Sequence, residues 1–252
     1  MKKWKEKFLE WYWRLRLSYS GKTPIFVFQM GKVGSSTVYY SLKNQLPNRF
    51  ILHAHDFKPD HKRIVKVRAL YKHFKKHPER PLKIITLVRD PIGRNISGFF
   101  QEYERYVGRP FRHDDFSVEE LRNIFLEKYN HRAPLDWMDR LKSHFDIDVY
   151  AEPILPSHYK RYQSGSVECL LLRHDIDNEE KARILQDFLG LDHLEIENYN
   201  QSIRHVYGAK YREFKQALTL PKDFLQKMRS SRYYTHFYTA EEIQGQCAKW
   251  EE

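Results

Sequence analysis

The chain has 252 residues, enough for an α/β domain with a sizeable core, and its hydrophobic content of 41% excludes disorder throughout. Its formal net charge of +11 favours anionic partners, namely nucleotide phosphates, anionic lipid, an acidic glycan or nucleic acid, and charge alone does not choose among them. Two cysteines are too few for a disulfide framework or a zinc site, so we expect a reducing, cytoplasmic location.

Residues 1–20 are predicted to form a basic amphipathic helix. Apolar side chains recur there at helical spacing, at Trp4, Phe8, Trp11 and Leu15. Two acidic residues and six basic ones surround them, the latter being Lys2, Lys3, Lys5, Lys7, Arg14 and Arg16. The pattern suits a helix that lies on an anionic membrane surface. The alternative is a helix that packs on the domain or on a partner chain. The N-terminus lacks the apolar core of a signal peptide, and no apolar run reaches the ~18 residues of a membrane span.

Residues 21–252 are predicted to form a single α/β domain in which strands alternate with helices. The predicted strands are 25–29, 49–53, 83–88 and 167–173, and Cys169 in the last of them is expected to be a buried thiol. Helices are expected at 38–44, 61–77, 94–106 and 179–189, in much of 109–145, and through most of the C-terminal third. This order predicts a mainly parallel central sheet flanked by helices, with ligands at the carboxyl ends of the strands.

The turn after the first strand has the composition of a phosphate-binding loop. It reads Gln-Met-Gly-Lys-Val-Gly-Ser-Ser-Thr over 29–37, so glycines and a helix start offer backbone N–H groups to an anion. It is not a Walker A loop, because Val33 follows Lys32 and Phe26 occupies the position of the first glycine. The order Lys-x-Gly-Ser-Ser resembles the 5′-phosphosulfate loop of sulfotransferases. The alternative is an ordinary strand-to-helix turn with a surface lysine.

The third predicted strand ends in Arg89-Asp90-Pro91, and Ser97 follows on the next helix. This segment resembles the 3′-phosphate segment of the same superfamily, in which the arginine and the serine bind the 3′-phosphate. An arginine fork can grip phosphate oxygens with two hydrogen bonds. Two alternatives stay open: Arg89 pairs with a carboxylate, or the strand is a Walker B strand with Asp90 on magnesium. Arg94 is expected to be structural.

Two histidines, His53 and His55, follow or end the second predicted strand and face the same way on an extended segment. Histidine can take a proton from an acceptor hydroxyl near neutral pH. The pair resembles the histidines of uronyl-type glycan 2-O-sulfotransferases, which implies that His55 is the general base. His53 is the next candidate, followed by a glutamate from the helical region after residue 100, such as Glu102. Alternatively, the histidines are structural or bind adventitious metal. The Lys32 turn, the histidine pair and the Arg89 segment each follow a strand that is predicted to be parallel to the others. We therefore expect the three to lie at one edge of the sheet.

The resemblance to the sulfotransferase superfamily covers most of the chain, and later segments are similar to bacterial sulfotransferase-like proteins assigned to capsular polysaccharide synthesis. There, His174-Asp175 stands where Glu-Asp is common. The resemblance implies a P-loop-like sulfotransferase fold and 3′-phosphoadenosine 5′-phosphosulfate as cofactor, with no metal. It implies that the nucleotide binds at Lys32, Val33, Gly34, Ser35, Ser36, Thr37, Arg89 and Ser97, with Lys32 also catalytic.

The acceptor implied by the resemblance is a hydroxyl of a glycan or of a lipid-linked sugar. Two other functions are compatible with the sequence. A nucleotide kinase-like phosphotransferase would require magnesium and ATP, whereas a non-catalytic basic adaptor for anionic lipid or nucleic acid would show steeply salt-dependent binding. The sequence contains no named nucleic-acid-binding motif, so we predict no nucleic-acid partner.

Overall fold

A computed structural model describes residues 2–61, 64–112, 116–199 and 206–251. The predicted α/β class is confirmed: a five-stranded, mostly parallel sheet is flanked by helices. The chain falls into two compact units. The first comprises Met1–Leu87, Asp139–Val149 and His158–Glu197, and the second comprises Val88–Met138, Tyr150–Ser157 and Asn198–Glu252. Residues 21–252, predicted as one domain, are thus divided between these units.

Five strands and twelve helices are formed by the described residues. The strands are β1 Ile25–Phe28, β2 Ile51–Ala54, β3 Leu82–Val88, β4 Tyr159–Ser164 and β5 Val167–Arg173. The helices are α1 Lys2–Tyr19, α2 Ser35–Gln45, α3 Val65–Lys76, α4 Pro91–Gln101, α5 Tyr103–Val107, α6 Val118–Lys128, α7 Asp139–Phe145, α8 Asn178–Leu189, α9 Gly208–Ala217, α10 Lys222–Arg229, α11 Arg232–Phe237 and α12 Ala240–Ala248. The helices predicted at 1–20 and 179–189 are confirmed.

The sheet of the first unit has the strand order β2-β1-β3-β5-β4. β1 is parallel to both β2 and β3, and all four of its residues are fully buried, as expected for a continuous apolar strand between two neighbours. In this register Val27 lies opposite His53. Because β1 and β2 run parallel, the segments that follow them leave the sheet at the same edge.

β4 is the one strand of the described sheet that the sequence did not predict. It pairs antiparallel with β5 at the edge of the sheet, and its six residues are half-buried or exposed. An edge strand of this kind needs no apolar run, because only one side of its backbone is paired and its side chains remain in contact with water. β5 is the longer, buried strand that the sequence predicted at 167–173, and Cys169 within it is a buried thiol as expected.

The second unit is helical and has an aromatic core. Phe99 and Phe100 of α4 contact Phe214 of α9, and Phe125 of α6 lies against Phe99. α4 begins earlier than predicted, at Pro91, because the Asp90 side chain accepts a hydrogen bond from the Gly93 N–H and caps the helix. Helical structure at 109–145 is confined to α6 and α7 in the described part of that segment. No helix described here combines the length and the apolar character that crossing a membrane requires.

Candidate functional site

The loop between β1 and α2 has an unusual backbone. Lys32 adopts a φ of 70°, and Gly34 adopts a φ of 79°, so the chain enters the left-handed region twice within three residues. Among the described residues, Asp146 is the other non-glycine residue with a positive φ. A side chain in this region is strained by about 1–3 kcal/mol, and such residues cluster at functional sites. Val33, between them, is fully buried and anchors the turn to the core.

The N-terminus of α2 opens directly onto this loop. Gly34 is the N-cap residue and supplies no side-chain hydrogen bond. By contrast, an aspartate or a hydroxyl side chain caps α8 and α12. The first turn of α2 therefore presents backbone N–H groups and the positive end of the helix dipole. Ser35 in this turn is buried, whereas Ser36 and Thr37 are half-buried. Left-handed and helical residues in alternation, with N–H groups on one side, form the kind of concavity that binds anions.

His53 is held between two polar side chains at the carboxyl ends of β1 and β2. The Gln29 amide donates to His53 Nε2 over 3.0 Å, and the Ser35 hydroxyl lies 3.1 Å from the same nitrogen. Burial, and secondarily the charge of His55, lower the pKa of His53 from 6.5 to about 4. His53 is therefore neutral at pH 7, which suits a nitrogen that accepts hydrogen bonds.

His55 is exposed, whereas His53 is half-buried, and its contact with Gln29 fixes its tautomer. Its Nδ1 lies 2.7 Å from the Gln29 carbonyl oxygen, which accepts a hydrogen bond and so requires the proton on Nδ1. In the neutral ring Nε2 then carries the lone pair that a base needs. This atom points toward the loop, since a Cβ added to Gly31 would lie 3.9 Å from it. The rings of the two histidines are perpendicular, with centroids 5.2 Å apart.

Three charged residues, Arg140, Asp56 and Lys58, interact at the segment that follows β2. Arg140 of α7 donates to the His55 carbonyl oxygen over 3.2 Å and lies 3.6 Å from the Asp56 carboxylate. Asp56 also pairs with Lys58 at 2.7 Å. Burial alone would raise the pKa of Asp56, but its hydrogen bond and ion pair with Lys58, together with Arg140, outweigh burial and lower the pKa. Asp56 is therefore an ionised anchor for this segment.

His174 is a residue of this site that the sequence analysis noted only as a departure from a pattern. Arg173 at the end of β5 is almost fully buried and makes two hydrogen bonds to the Asp175 carboxylate, at 3.0 and 2.5 Å. This pairing explains the acid at 175, and His174 between them lies against Gly34. A Cβ added to Gly34 would lie 2.6 Å from His174 Cδ2. A side chain at position 34 would therefore require the His174 ring to move.

Gln29 is a second residue that the sequence analysis did not assign. It is fully buried, its Nε2 and its carbonyl oxygen contact the two histidines, and its Oε1 has no partner among the described residues. The signal in the sequence was a glutamine at the end of an otherwise apolar run, where a buried polar side chain requires partners. We name Gln29, Ser35, His53 and His55 the histidine cluster.

The contact between Gly34 and His174 gives a prediction about stability and site geometry. We expect Gly34→Ala to lower the free energy of unfolding by about 1–2 kcal/mol, because alanine is disfavoured at positive φ, and also to displace the His174 ring. Gly190→Ala is the matched control: its φ is 64°, and nothing lies within 4 Å of an added Cβ. Urea denaturation should give both variants a similar loss, while only Gly34→Ala should shift the His174 resonances in an NMR spectrum. Unchanged His174 resonances in Gly34→Ala would contradict the contact.

The second unit contains the Arg89 segment. Tyr233 is fully buried and fixes the Arg89 backbone from both sides: its hydroxyl accepts from the Arg89 N–H at 3.1 Å and donates to the Arg89 carbonyl oxygen at 3.0 Å. The Arg89 side chain keeps 20% of its surface exposed and lies 3.6 Å from the Asp90 carboxylate, which matches the alternative of an ion pair. Ser97, by comparison, is buried on α4.

Two further residues of the second unit were assigned from sequence. Arg94 donates to the Tyr129 hydroxyl over 2.9 Å and to Asn95, as expected for a structural arginine. Glu102 is exposed at the break between α4 and α5, where it pairs with Arg105 at 3.0 Å. The structure thus brings Ser35, His53 and His55 together in the first unit, while Arg89, Ser97 and Glu102 belong to the second.

No protein-family profile, curated protein or solved structure matches the chain. In the part of the chain that the structure describes, no group of three or more His, Cys, Asp or Glu side chains is arranged to hold a metal ion. The expectation of a metal-free reaction stays a prediction.

Proposed function

We propose that the protein is a sulfotransferase that moves a sulfuryl group from 3′-phosphoadenosine 5′-phosphosulfate to a hydroxyl of a glycan or glycolipid. The observation that carries the proposal is the juxtaposition, in one unit, of the left-handed loop at Lys32–Ser36 before the N-terminus of α2 with a histidine whose Nε2 faces that loop. The α/β fold and the order Lys-x-Gly-Ser-Ser support the same reading.

The loop fits the 5′-phosphosulfate group of the donor. Gly34 has no side chain to obstruct the N-terminus of α2, and the left-handed turn places a lysine two residues before that helix cap. The backbone N–H groups of Val33 to Ser36 and the hydroxyls of Ser36 and Thr37 would donate to the phosphate, because the Thr37 N–H already donates to the Gly34 carbonyl oxygen. Ser35 has a different part in this proposal, because its hydroxyl lies against His53 and links the loop to the histidine cluster.

The bound donor supplies an electrophilic sulfur with a phosphate leaving group. Lys32 would stabilise the negative charge that develops on the oxygen bridging the two groups, which is electrostatic stabilisation of the transition state. His55 Nε2 would accept the proton of the acceptor hydroxyl. His53 would remain neutral and hold the backbone and side chains of the cluster in place, since its pKa of about 4 disfavours protonation at neutral pH. Arg89 and Ser97 are proposed to bind the 3′-phosphate.

The proposed location is cytoplasmic, with association to the membrane surface, and the proposed partner is a glycan or a lipid-linked sugar.

The test is to incubate the full chain with donor labelled in its sulfuryl group and a panel of glycan and glycolipid acceptors, with EDTA present. We expect label in an acceptor and release of adenosine 3′,5′-bisphosphate. Transfer of phosphate from ATP with magnesium to the same panel would instead identify a kinase and reject the proposal.

A further inference from the structure

Helix α1 is fixed to the first unit by one of its faces. Arg68 of α3 lies 3.2 Å from both Glu6 and Glu10, and Lys72 lies 2.5 Å from Glu10. Burial alone would raise the pKa of Glu10, but the hydrogen bonds and charges of Lys72 and Arg68 outweigh burial and lower it. Leu17 is buried on the same side of the helix. The position of α1 is therefore determined by specific contacts with α3.

The other face of α1 carries a strip of exposed aromatic rings. Trp4, Phe8 and Trp11 are 75%, 50% and 54% exposed, and they recur at i, i+4 and i+7. Their ring centroids lie 6.1 Å apart for Trp4 and Phe8, and 5.8 Å apart for Phe8 and Trp11, so the rings form one continuous apolar surface. We name these three residues the aromatic strip. Contiguous exposed apolar surface of this kind marks an interaction site.

The acidic and basic residues of α1 lie on different faces of the helix. Both of its acidic residues point to α3 and are paired there. Lys5, Lys7 and Arg16 are exposed. From the helical spacing, Lys7 lies on one side of the aromatic strip, and Lys5 and Arg16 lie on the other. Lys2 and Lys3, which were predicted among the basic residues around the apolar side chains, lie outside the residues whose side chains the structure describes. The outer face of α1 thus combines aromatic rings with cations and carries no carboxylate among its described residues.

We infer that the outer face of α1 docks on an anionic phospholipid bilayer. Tryptophan and phenylalanine insert at the boundary between headgroups and acyl chains, while flanking lysines attract anionic headgroups. A second copy of the chain is disfavoured as the occupant, because it would bring like charges together on both sides of the strip. This inference does not depend on the proposed enzymatic activity, since it rests on α1 and α3 alone.

The test is co-sedimentation of the full chain with vesicles of phosphatidylcholine alone and with vesicles of phosphatidylcholine mixed with the anionic lipid phosphatidylglycerol. We expect binding to the anionic vesicles that weakens with added salt, together with a blue shift of tryptophan fluorescence. Replacing the aromatic strip by three alanines should weaken binding by at least about tenfold. Lys5→Glu with Lys7→Glu should weaken it by at least about 30-fold, since each cation near the surface contributes.

The matched control is Lys222→Glu with Lys227→Glu, which makes the same change in net charge at exposed positions of α10. This variant should bind anionic vesicles almost as well as the original chain. Circular dichroism should show that every variant folds, because the substituted side chains are exposed. Equal binding to both kinds of vesicle, or an equal loss in the control, would overturn the inference. So would self-association that the three alanines abolish without any vesicle binding, because it would make a second copy the occupant.

Discussion

Replacing His55 by alanine should lower the rate of sulfuryl transfer by about 10²–10⁴-fold, the usual contribution of a positioned general base. The geometry behind this expectation is the hydrogen bond from Nδ1 to the Gln29 carbonyl oxygen, which leaves the lone pair on Nε2. Because the His55 side chain is exposed, its truncation should leave the core folded, and nucleotide affinity should stay within a few-fold. The measurement is the initial rate with whichever acceptor the transfer assay identifies, accompanied by calorimetric titration with adenosine 3′,5′-bisphosphate.

The pH dependence of kcat/KM separates the two histidines as candidates for the base. A base works only when it is deprotonated, so the rate falls as the pH drops through the pKa of that base. If His53 were the base, the acidic limb would lie near pH 4, because burial lowers its pKa to that value. His77→Ala, at a half-exposed histidine after α3, serves as the control and should leave the rate unchanged. Near-normal turnover of His55→Ala with an unchanged acidic limb would reject His55 as the base.

Replacing Lys32 by alanine should lower turnover by about 10²–10³-fold, equivalent to about 3–4 kcal/mol, if its charge acts on the leaving oxygen. Nucleotide affinity should fall much less, because the backbone N–H groups of the loop remain. Lys32→Arg should recover part of the rate, and Lys22→Ala, at an exposed lysine before β1, should have no effect. The measurement is kcat with saturating donor, set beside the dissociation constant of the bisphosphate product.

The backbone at Lys32 allows a second variant that separates function from stability. At a φ of 70° the backbone of glycine is less strained than that of lysine. Lys32→Gly should therefore leave the free energy of unfolding unchanged or raise it by up to about 1 kcal/mol. The same variant should lose activity as Lys32→Ala does. A gain in stability with a loss of activity is expected where a strained residue is retained for its function. If both Lys32 variants lose affinity in proportion to turnover, Lys32 binds the nucleotide and has no separate role in the transition state.

The sequence predicted the buried part of the fold well, for a physical reason. Strand β1 is a continuous apolar run, β3 is apolar except for Lys83 and Thr86, and helix α8 ends at a glycine, so local pattern and final structure agree. β4 was not predicted because its side chains are polar and partly exposed to water, as is common in an edge strand, so its sequence contains no apolar run. The early start of α4 depends on one hydrogen bond from the Gly93 N–H to the Asp90 carboxylate, which composition alone does not specify.

The site was only partly predictable from sequence. The turn at Lys32–Ser36 and the two histidines follow strands whose parallel order could be inferred, so their proximity could be expected. The contact between Gly34 and His174 could not be expected, because it joins residues far apart in the chain, and only tertiary packing brings them together. The tautomers of His53 and His55 depend on which atoms of Gln29 face each ring. Such directions are set by packing and have no signature in residue spacing.

The most direct test of the proposed activity is whether the protein recognises the 3′-phosphate of its nucleotide, and whether Arg89 is responsible. Calorimetric titration in EDTA should give tighter binding of adenosine 3′,5′-bisphosphate than of AMP. Arg89→Ala should weaken bisphosphate binding by about 10–150-fold, the effect of a lost hydrogen bond to a charged group, and leave AMP binding unchanged. Arg105→Ala, at an exposed arginine, should change neither. Equal affinity for AMP and the bisphosphate, or a requirement for magnesium, would contradict the proposal that this protein is a phosphosulfate-dependent sulfotransferase.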